Sequence, residues 1–234
     1  MMNFKADIGI IGALSDEVAS IISLLEDRRT EQVGSIEFNT GSLYGKNVAV
    51  AKCGVGKVFA AIAAEAMLIK YSPDLLINTG VGGALASSLR PCDIVFADKL
   101  VQHDMDTSAL GDPKGLISGI NKIYFETDKR ALDILTSIAG KSGVNYLVGT
   151  VATGDRFVSD REDKEYISRE FGAVCCEMEG GAVAHTAYAF GTKCIVVRAI
   201  SDSADGEASM DYSEFLPAAT KVSTALTLGL VKEY

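Results

Sequence analysis

Short, unbroken apolar runs alternate along the chain with stretches whose apolar residues recur every three or four positions. The runs predict strands buried on both faces, and the recurring spacing predicts helices with one buried stripe. Ile8-Gly9-Ile10-Ile11-Gly12-Ala13-Leu14 is the first run, and Ser15 is the expected N-cap of a helix with Val18, Ile21, Ile22 and Leu25 on one face. Residues 33 to 53 read as two strands joined near Gly41 to Gly45, and Gly54-Val55-Gly56-Lys57 opens an Ala-rich helix through Lys70. Leu75-Leu76-Ile77 is a further buried strand, followed by a predicted glycine loop, Gly80-Val81-Gly82-Gly83-Ala84.

The second half repeats the alternation. A long strand from Cys92 to Gln102 runs into His103-Asp104-Met105-Asp106, and residues 107 to 124 read as a long loop. Leu132, Leu135 and Ile138 mark a helix, Tyr146 to Ala152 a strand, and Ser159 to Glu162 a capping box for the next helix. Strands ending at Val174-Cys175-Cys176 and at Arg198-Ala199-Ile200 follow, the second continuing into Ser201-Asp202-Ser203-Ala204-Asp205. A closing helix carries Phe215, Ala219, Val222, Leu226 and Leu230 on one face, with Pro217 in its first turn. The pattern predicts one α/β domain over residues 1–234 with a mainly parallel sheet. Glu17, the Gly80 loop, Phe157, Glu177, Glu179 and Asp202 all follow strand ends, so a mainly parallel sheet brings them to one edge, where open α/β sheets bind ligands.

Composition narrows the partners. The 234 residues are 48% hydrophobic, enough for a substantial core, and carry a net charge of −9 without a basic stripe, which argues against nucleic acid as a partner. Five cysteines, two of them adjacent, give neither a disulfide framework nor a zinc spacing, and a reduced, cytoplasmic setting is expected. A signal segment and a long apolar span are both missing from the pattern, so neither export nor a membrane is expected.

The candidate chemistry is acidic. Glu177 and Glu179 stand two apart, a spacing that turns both to one side if the strand runs on; the pair either raises one member's pKa and takes donors such as ribose hydroxyls, or is solvated at a turn. Glu17 either compensates a helix dipole or faces a ligand, and Phe157 is either a core residue or a stacking surface beside the Val158 backbone. Gly54-Val55-Gly56 is not a dinucleotide fingerprint, because Phe59 holds the third glycine position and Asn78-Thr79 follows the next strand. With two histidines, no metal site is expected at His103; His185 reads as a packed or interface residue, and no Ser or Cys pairs with a base.

Taken together, Ile8-Gly9-Ile10-Ile11-Gly12-Ala13 with Glu17, Asn78-Thr79-Gly80, Gly154-Asp155 with Phe157, Glu177-Met178-Glu179 and Arg198-Ala199-Ile200-Ser201-Asp202 resemble the 5'-methylthioadenosine/S-adenosylhomocysteine nucleosidases of the nucleoside phosphorylase superfamily. The resemblance implies a three-layer α/β/α sandwich with a central mixed sheet, a homodimer, no cofactor, and hydrolysis of an N-ribosidic bond to release adenine. It implies Asp202 as the acid at adenine N7 and Glu17 as the base that activates water, with Ser201 beside Asp202. Glu179, with Glu177 and Met178, would hold the ribose, Phe157 and Val158 the adenine, and Arg198 and Gly83 would line the ribose and water site. Val81 stands where the family often has serine and Leu110 where it often has an aromatic; Leu110 and Val55 are expected to line the 5' slot of a neighbouring subunit. A phosphorylase of the same superfamily is the rival, disfavoured by the negative charge of Ser15-Asp16-Glu17; a nucleoside-binding protein without turnover is the other.

Overall fold

The computed structural model describes residues 4–202 and 208–234, with residues 208–212 as helix backbone; Ser203, Ala204 and Asp205 lie outside the described residues. β1 (Ile8–Gly12) is buried along its length because it lies between two parallel partners, β4 (Lys46–Lys52) and β5 (Leu75–Ala84). β5 also runs parallel to β10 (Lys193–Asp202), which pairs antiparallel with β6 (Ile94–Gln102). β6 continues in parallel to β8 (Tyr146–Thr153) and β8 to β9 (Ala173–Glu177), and β9 returns antiparallel to the end of β5. This half of the sheet therefore closes on itself. The closure sets Cys176 opposite Gly83 and Asp202 opposite Gly83 from the other side, so three strands meet at one residue.

Side chains of the central strands alternate between two cores, as a strand period of two requires. Ile11, Ala49, Leu76 and Val196 face α2 (Lys57–Tyr71) and α5 (Gly180–Phe190). Ile8, Ile10, Val50, Ile77 and Val197 face α1 (Ser15–Ser23), α3 (Lys129–Ser142) and α6 (Ala208–Glu233). A third cluster, with Ile167 and Phe171, seats α4 (Arg161–Phe171) on β8 and β9. The result is the expected α/β fold with helices on both faces of a mixed sheet; most central pairings are parallel, while β10–β6, the rim strands and the point of closure are antiparallel.

Several local expectations change. Glu26–Val33 is an additional strand, β2, paired with β3 (Ile36–Leu43). Its sequence, Glu-Asp-Arg-Arg-Thr-Glu-Gln-Val, shows no alternation because it is an exposed edge, where charge discourages further pairing. The predicted glycine loop is the end of β5, and its glycines serve close approach rather than positive φ. Residues 107–124 contain a 3-10 turn at Ser108–Leu110 and lead into a short strand, β7 (Tyr124–Glu126). Asp160 caps α4, accepting from the N–H groups of Glu162 and Asp163, so the expected capping box at Ser159 does not form. Leu14 occupies the N-cap position of α1 in place of Ser15, and Pro217 falls inside α6, which begins at Ala208.

Candidate active site

The strand ends and the first turn of α1 surround a cavity of about 570 Å³, part of it open to solvent. Glu17, Val81, Gly83, Val158, Met178, Glu179, Ser201 and Asp202 line it, with the half-exposed Phe157 at its mouth. Glu17 is buried, and its carboxylate takes the capping role missing from Ser15: Oε2 accepts from the N–H groups of Ala13 at 2.6 Å and Leu14 at 2.9 Å, and Oε1 from Val81 N–H at 3.2 Å. A Cβ on Gly80 would lie 2.5 Å from Glu17 Oε1, which explains why this strand position is glycine. Burial pushes the Glu17 carboxyl above its ordinary value, and neither those N–H donors nor the charge of Arg198 cancels the effect.

Asp202 comes from a bulge. Between Ile200, opposite Gly82, and Asp202, opposite Gly83, β10 shifts register, and Ser201 is the extra residue. Ser201 Oγ donates to Asp202 Oδ1 at 2.9 Å, and Asp202 Oδ2 lies 3.3 Å from Lys164 Nζ. A Cβ on Gly83 would be 2.9 Å from that same Oδ2.

Glu177 and Glu179 diverge where the strand gives way to α5. The Glu177 carboxylate is engaged inside the wall by Arg198, by the Thr153 hydroxyl, and by the N–H groups of Glu179 at 3.0 Å and Gly180 at 2.6 Å. Burial raises its pKa, but the guanidinium, the hydroxyl and the Gly180 N–H together lower it below the ordinary range. Glu179 shifts the other way: burial and the neighbouring Glu177 charge raise it, against Arg198 and the Gly56 N–H, which donates to Glu179 Oε1 at 2.9 Å. One member of the pair is thus held ionised and the other gains proton affinity, one of the two outcomes that the sequence spacing left open.

Most of the expected residues converge. Glu17, Val81, Gly83, Phe157, Val158, Glu177, Met178, Glu179, Ser201 and Asp202 all line the cavity. Phe157 is 45% exposed and therefore not a core residue. Three placements differ. Arg198 is fully buried behind the wall, held by Glu177, Asn78 and the Val197 carbonyl, and does not line the cavity. Val55 lines the cavity of its own chain, because Gly54 and Gly56, at φ +96° and +100°, fold the turn after β4 against Glu179. Leu110 stands apart from the cavity and is 84% exposed. His185 stacks on Phe125 with ring centroids 4.9 Å apart, a packing role.

Lys164, Thr153 and Gly56 were not legible as site residues. Lys164 lies in a helix whose sequence reads as solvated, and Thr153 is one of several strand threonines. The signal at Gly56 was present, in a Gly-X-Gly turn at a strand end, but was read as tight packing. Among the described residues, no three His, Cys, Asp or Glu side chains group closely enough to hold a metal ion.

A family model described as the phosphorylase superfamily matches residues 7–232. A protein of Haemophilus influenzae (strain PittGG) named 5'-methylthioadenosine/S-adenosylhomocysteine nucleosidase is 41% identical over 225 residues, 96% of this chain and 98% of its own length. This chain belongs to that nucleosidase family. A Helicobacter pylori member of the family, solved with butyl-thio-DADMe-Immucillin-A, superposes with a TM-score of 0.94 at 34% identity, covering 99% of this chain and 100% of that one. A structure named futalosine hydrolase, also from Helicobacter pylori, gives a TM-score of 0.93 at 34% identity over 100% of this chain and 99% of that one. The nucleosidase family is thus joined by a second named activity on the same fold.

Proposed function

We propose that the protein hydrolyses the N-ribosidic bond of 5'-methylthioadenosine and S-adenosylhomocysteine, releasing adenine and the thioribose. The observation that carries this reading is the presence of two buried carboxylates, Glu17 from α1 and Asp202 from β10, in the walls of one cavity rimmed by an aromatic ring. Adenine leaves poorly as an anion, so Asp202 shares a proton with N7 as the bond lengthens. Glu17 draws a proton from the attacking water, and the ribosyl centre gains positive charge among carboxylates that stabilise it. Glu179, with raised proton affinity, faces the ribose hydroxyls, Met178 packs on the sugar, and Phe157 with the Val158 backbone holds the purine.

Water rather than phosphate is the acceptor. The buried guanidinium is committed to Glu177 behind the wall, and Arg156 at the mouth pairs with Asp163. An anion entering beside Glu17 would meet a carboxylate. Outside the cavity, Val58, Phe59, Ile62 and Ile69 follow helical spacing on α2 and are all exposed, continuing from Val55. Such a stripe is an interface, and we assign it to a homodimer that brings Leu110 to the partner's 5' slot. A cytoplasmic setting fits five cysteines that are all free.

The test is adenine release from 5'-methylthioadenosine in phosphate-free buffer and with phosphate added, with the sugar product identified. Free methylthioribose at an unchanged rate supports the proposal; a phosphate requirement with a sugar 1-phosphate product makes the protein a phosphorylase. The futalosine hydrolase likeness supports a second substrate, a 5'-modified adenosine such as aminodeoxyfutalosine, and kcat/KM ratios against methylthioadenosine, adenosylhomocysteine and 5'-deoxyadenosine rank it.

A further inference from the structure

Charged residues dominate α4, and most of them face solvent. Lys164 does not. It is 2% exposed and shares the buried face with Ile167 and Phe171, at the i, i+3 and i+7 positions of one helical stripe. Its Nζ lies 3.3 Å from Asp202 Oδ2, and both side chains are buried. Lysine is almost never buried without a partner, because stripping water from an ammonium is costly, and a leucine or methionine would fill the same space without that cost. The position therefore calls for a charge.

The surroundings show what the charge acts on. Asp202 is wedged between Ser201 Oγ on one oxygen and Lys164 Nζ on the other, with the Gly83 backbone close against the second. From β9 the Cys176 thiol comes up beside Gly83 and Asp202, while Cys175, on the opposite face of the strand, and Glu177 act on this region through charge alone. Burial raises both thiols, Cys176 to about 12, and the charge of Asp202 raises each further; for Cys176 that of Lys164 works the other way. Both thiols are neutral at ordinary pH, and among the described residues the charge that α4 sets against Asp202 is the Lys164 ammonium.

We propose that Lys164 is a positioning residue for Asp202: its ammonium fixes one carboxylate oxygen, aiming the group at the purine edge, and its charge sets the pH at which Asp202 gives up its proton. The proposal rests on the reading of Asp202 as the acid. It adds a residue from a helix that contributes no other group to the chemistry. The sign follows from charge. A cation this close favours the carboxylate, so removing it lets Asp202 keep its proton to higher pH. A group that must deliver a proton loses effect as pH rises, so the alkaline limb of kcat/KM moves upward in a variant without the cation.

The experiment compares adenine release from methylthioadenosine across pH for the full chain, Lys164→Met, Lys164→Arg and Asp202→Asn, with circular dichroism as the check of folding. Lys164→Gln replaces the Met variant if that one does not fold. The expected result is an alkaline limb displaced upward by about one unit or more in Lys164→Met, with kcat at the optimum about tenfold lower and KM little changed. In Lys164→Arg the limb stays near its original position. A folded Lys164→Met whose rate falls evenly at all pH values, with Asp202→Asn inactive, overturns the role of Lys164 alone. An active Asp202→Asn overturns the reading of Asp202 on which it rests.

Discussion

The Glu177 carboxylate and the Arg198 guanidinium form a buried ion pair, each side chain 1% exposed. Both oxygens of Glu177 are taken up, one by Thr153 and the other by Arg198 and two backbone N–H groups at the start of α5. The pair therefore fixes the point where strand turns to helix, and so places Glu179. On the proposed reading, it positions the ribose side of the site.

Breaking that pair leaves an uncompensated buried charge. Glu177→Leu and Arg198→Met are each expected to lower stability by about 3–5 kcal/mol, and the double replacement by less than the sum. Denaturant midpoints of the three variants check this; equal and additive losses of under about 1 kcal/mol would mean that the pair is not held as described.

Glu17→Gln is expected to lower kcat by about 10²- to 10⁴-fold with the fold retained, since a general base contributes on that scale. An amide keeps the acceptor for the Ala13 and Leu14 N–H groups but not the affinity for a proton. Adenine release with circular dichroism as control separates the two effects, and near-normal turnover would remove Glu17 from its role.

The raised pKa of Glu17 fixes a pH dependence. In the proposed role of base it must be ionised, so kcat/KM is expected to rise with pH through a midpoint above the ordinary 4.5. Its contribution to stability has the opposite sense. The folded protein holds this proton more tightly than the unfolded chain, so the contribution is full below about 4.5 and is lost as pH rises through the folded value. Glu179 shifts in the same direction. Thermal melts of wild type and Glu17→Gln across this window isolate the Glu17 share: the variant should gain on the wild type as pH rises.

Gly80→Ala tests the packing behind the base. The position is extended strand without positive φ, so the backbone accepts alanine, but the new methyl would meet Glu17 Oε1 at 2.5 Å. The carboxylate has to move, and kcat should fall at least tenfold while the melting temperature changes by only a few degrees. Unchanged kcat would show that the Glu17 position is not critical.

The central strands and the convergence of the site were legible because those strands are short apolar runs, and because acids placed directly after such runs have few other places to point. Glu17, Glu179 and Asp202 followed from that logic. What escaped was set by tertiary contact. β2 is too polar to show a strand period, and the glycines of β5 look like a loop until the side chains pressing on them are seen. Lys164 is hidden among the charges of α4, where only burial distinguishes it from Lys or Arg neighbours in solvent. Arg198 was placed on the correct strand but one layer too near the ligand, because a sequence does not show that Asn78 and Glu177 claim its guanidinium.

The apolar stripe on α2 gives the last prediction. Val58 is 69% exposed and Ile62 46%, one turn apart, beside a Val55 that lines the cavity. If two copies meet here, Val58→Glu with Ile62→Glu places four carboxylates in one interface and should yield monomers by sedimentation at micromolar concentration. Leu110, absent from this chain's own cavity, then tells whether the partner completes the slot. In the dimer, Leu110→Ala should weaken kcat/KM for methylthioadenosine by about tenfold or more, since each buried methylene is worth about 0.8 kcal/mol, and should matter less for 5'-deoxyadenosine. In the monomeric background the same change should do nothing further, because the residue then faces water. An equal Leu110→Ala effect in monomer and dimer would place its contact within one chain, and a Val58/Ile62 variant that stays dimeric would move the interface elsewhere.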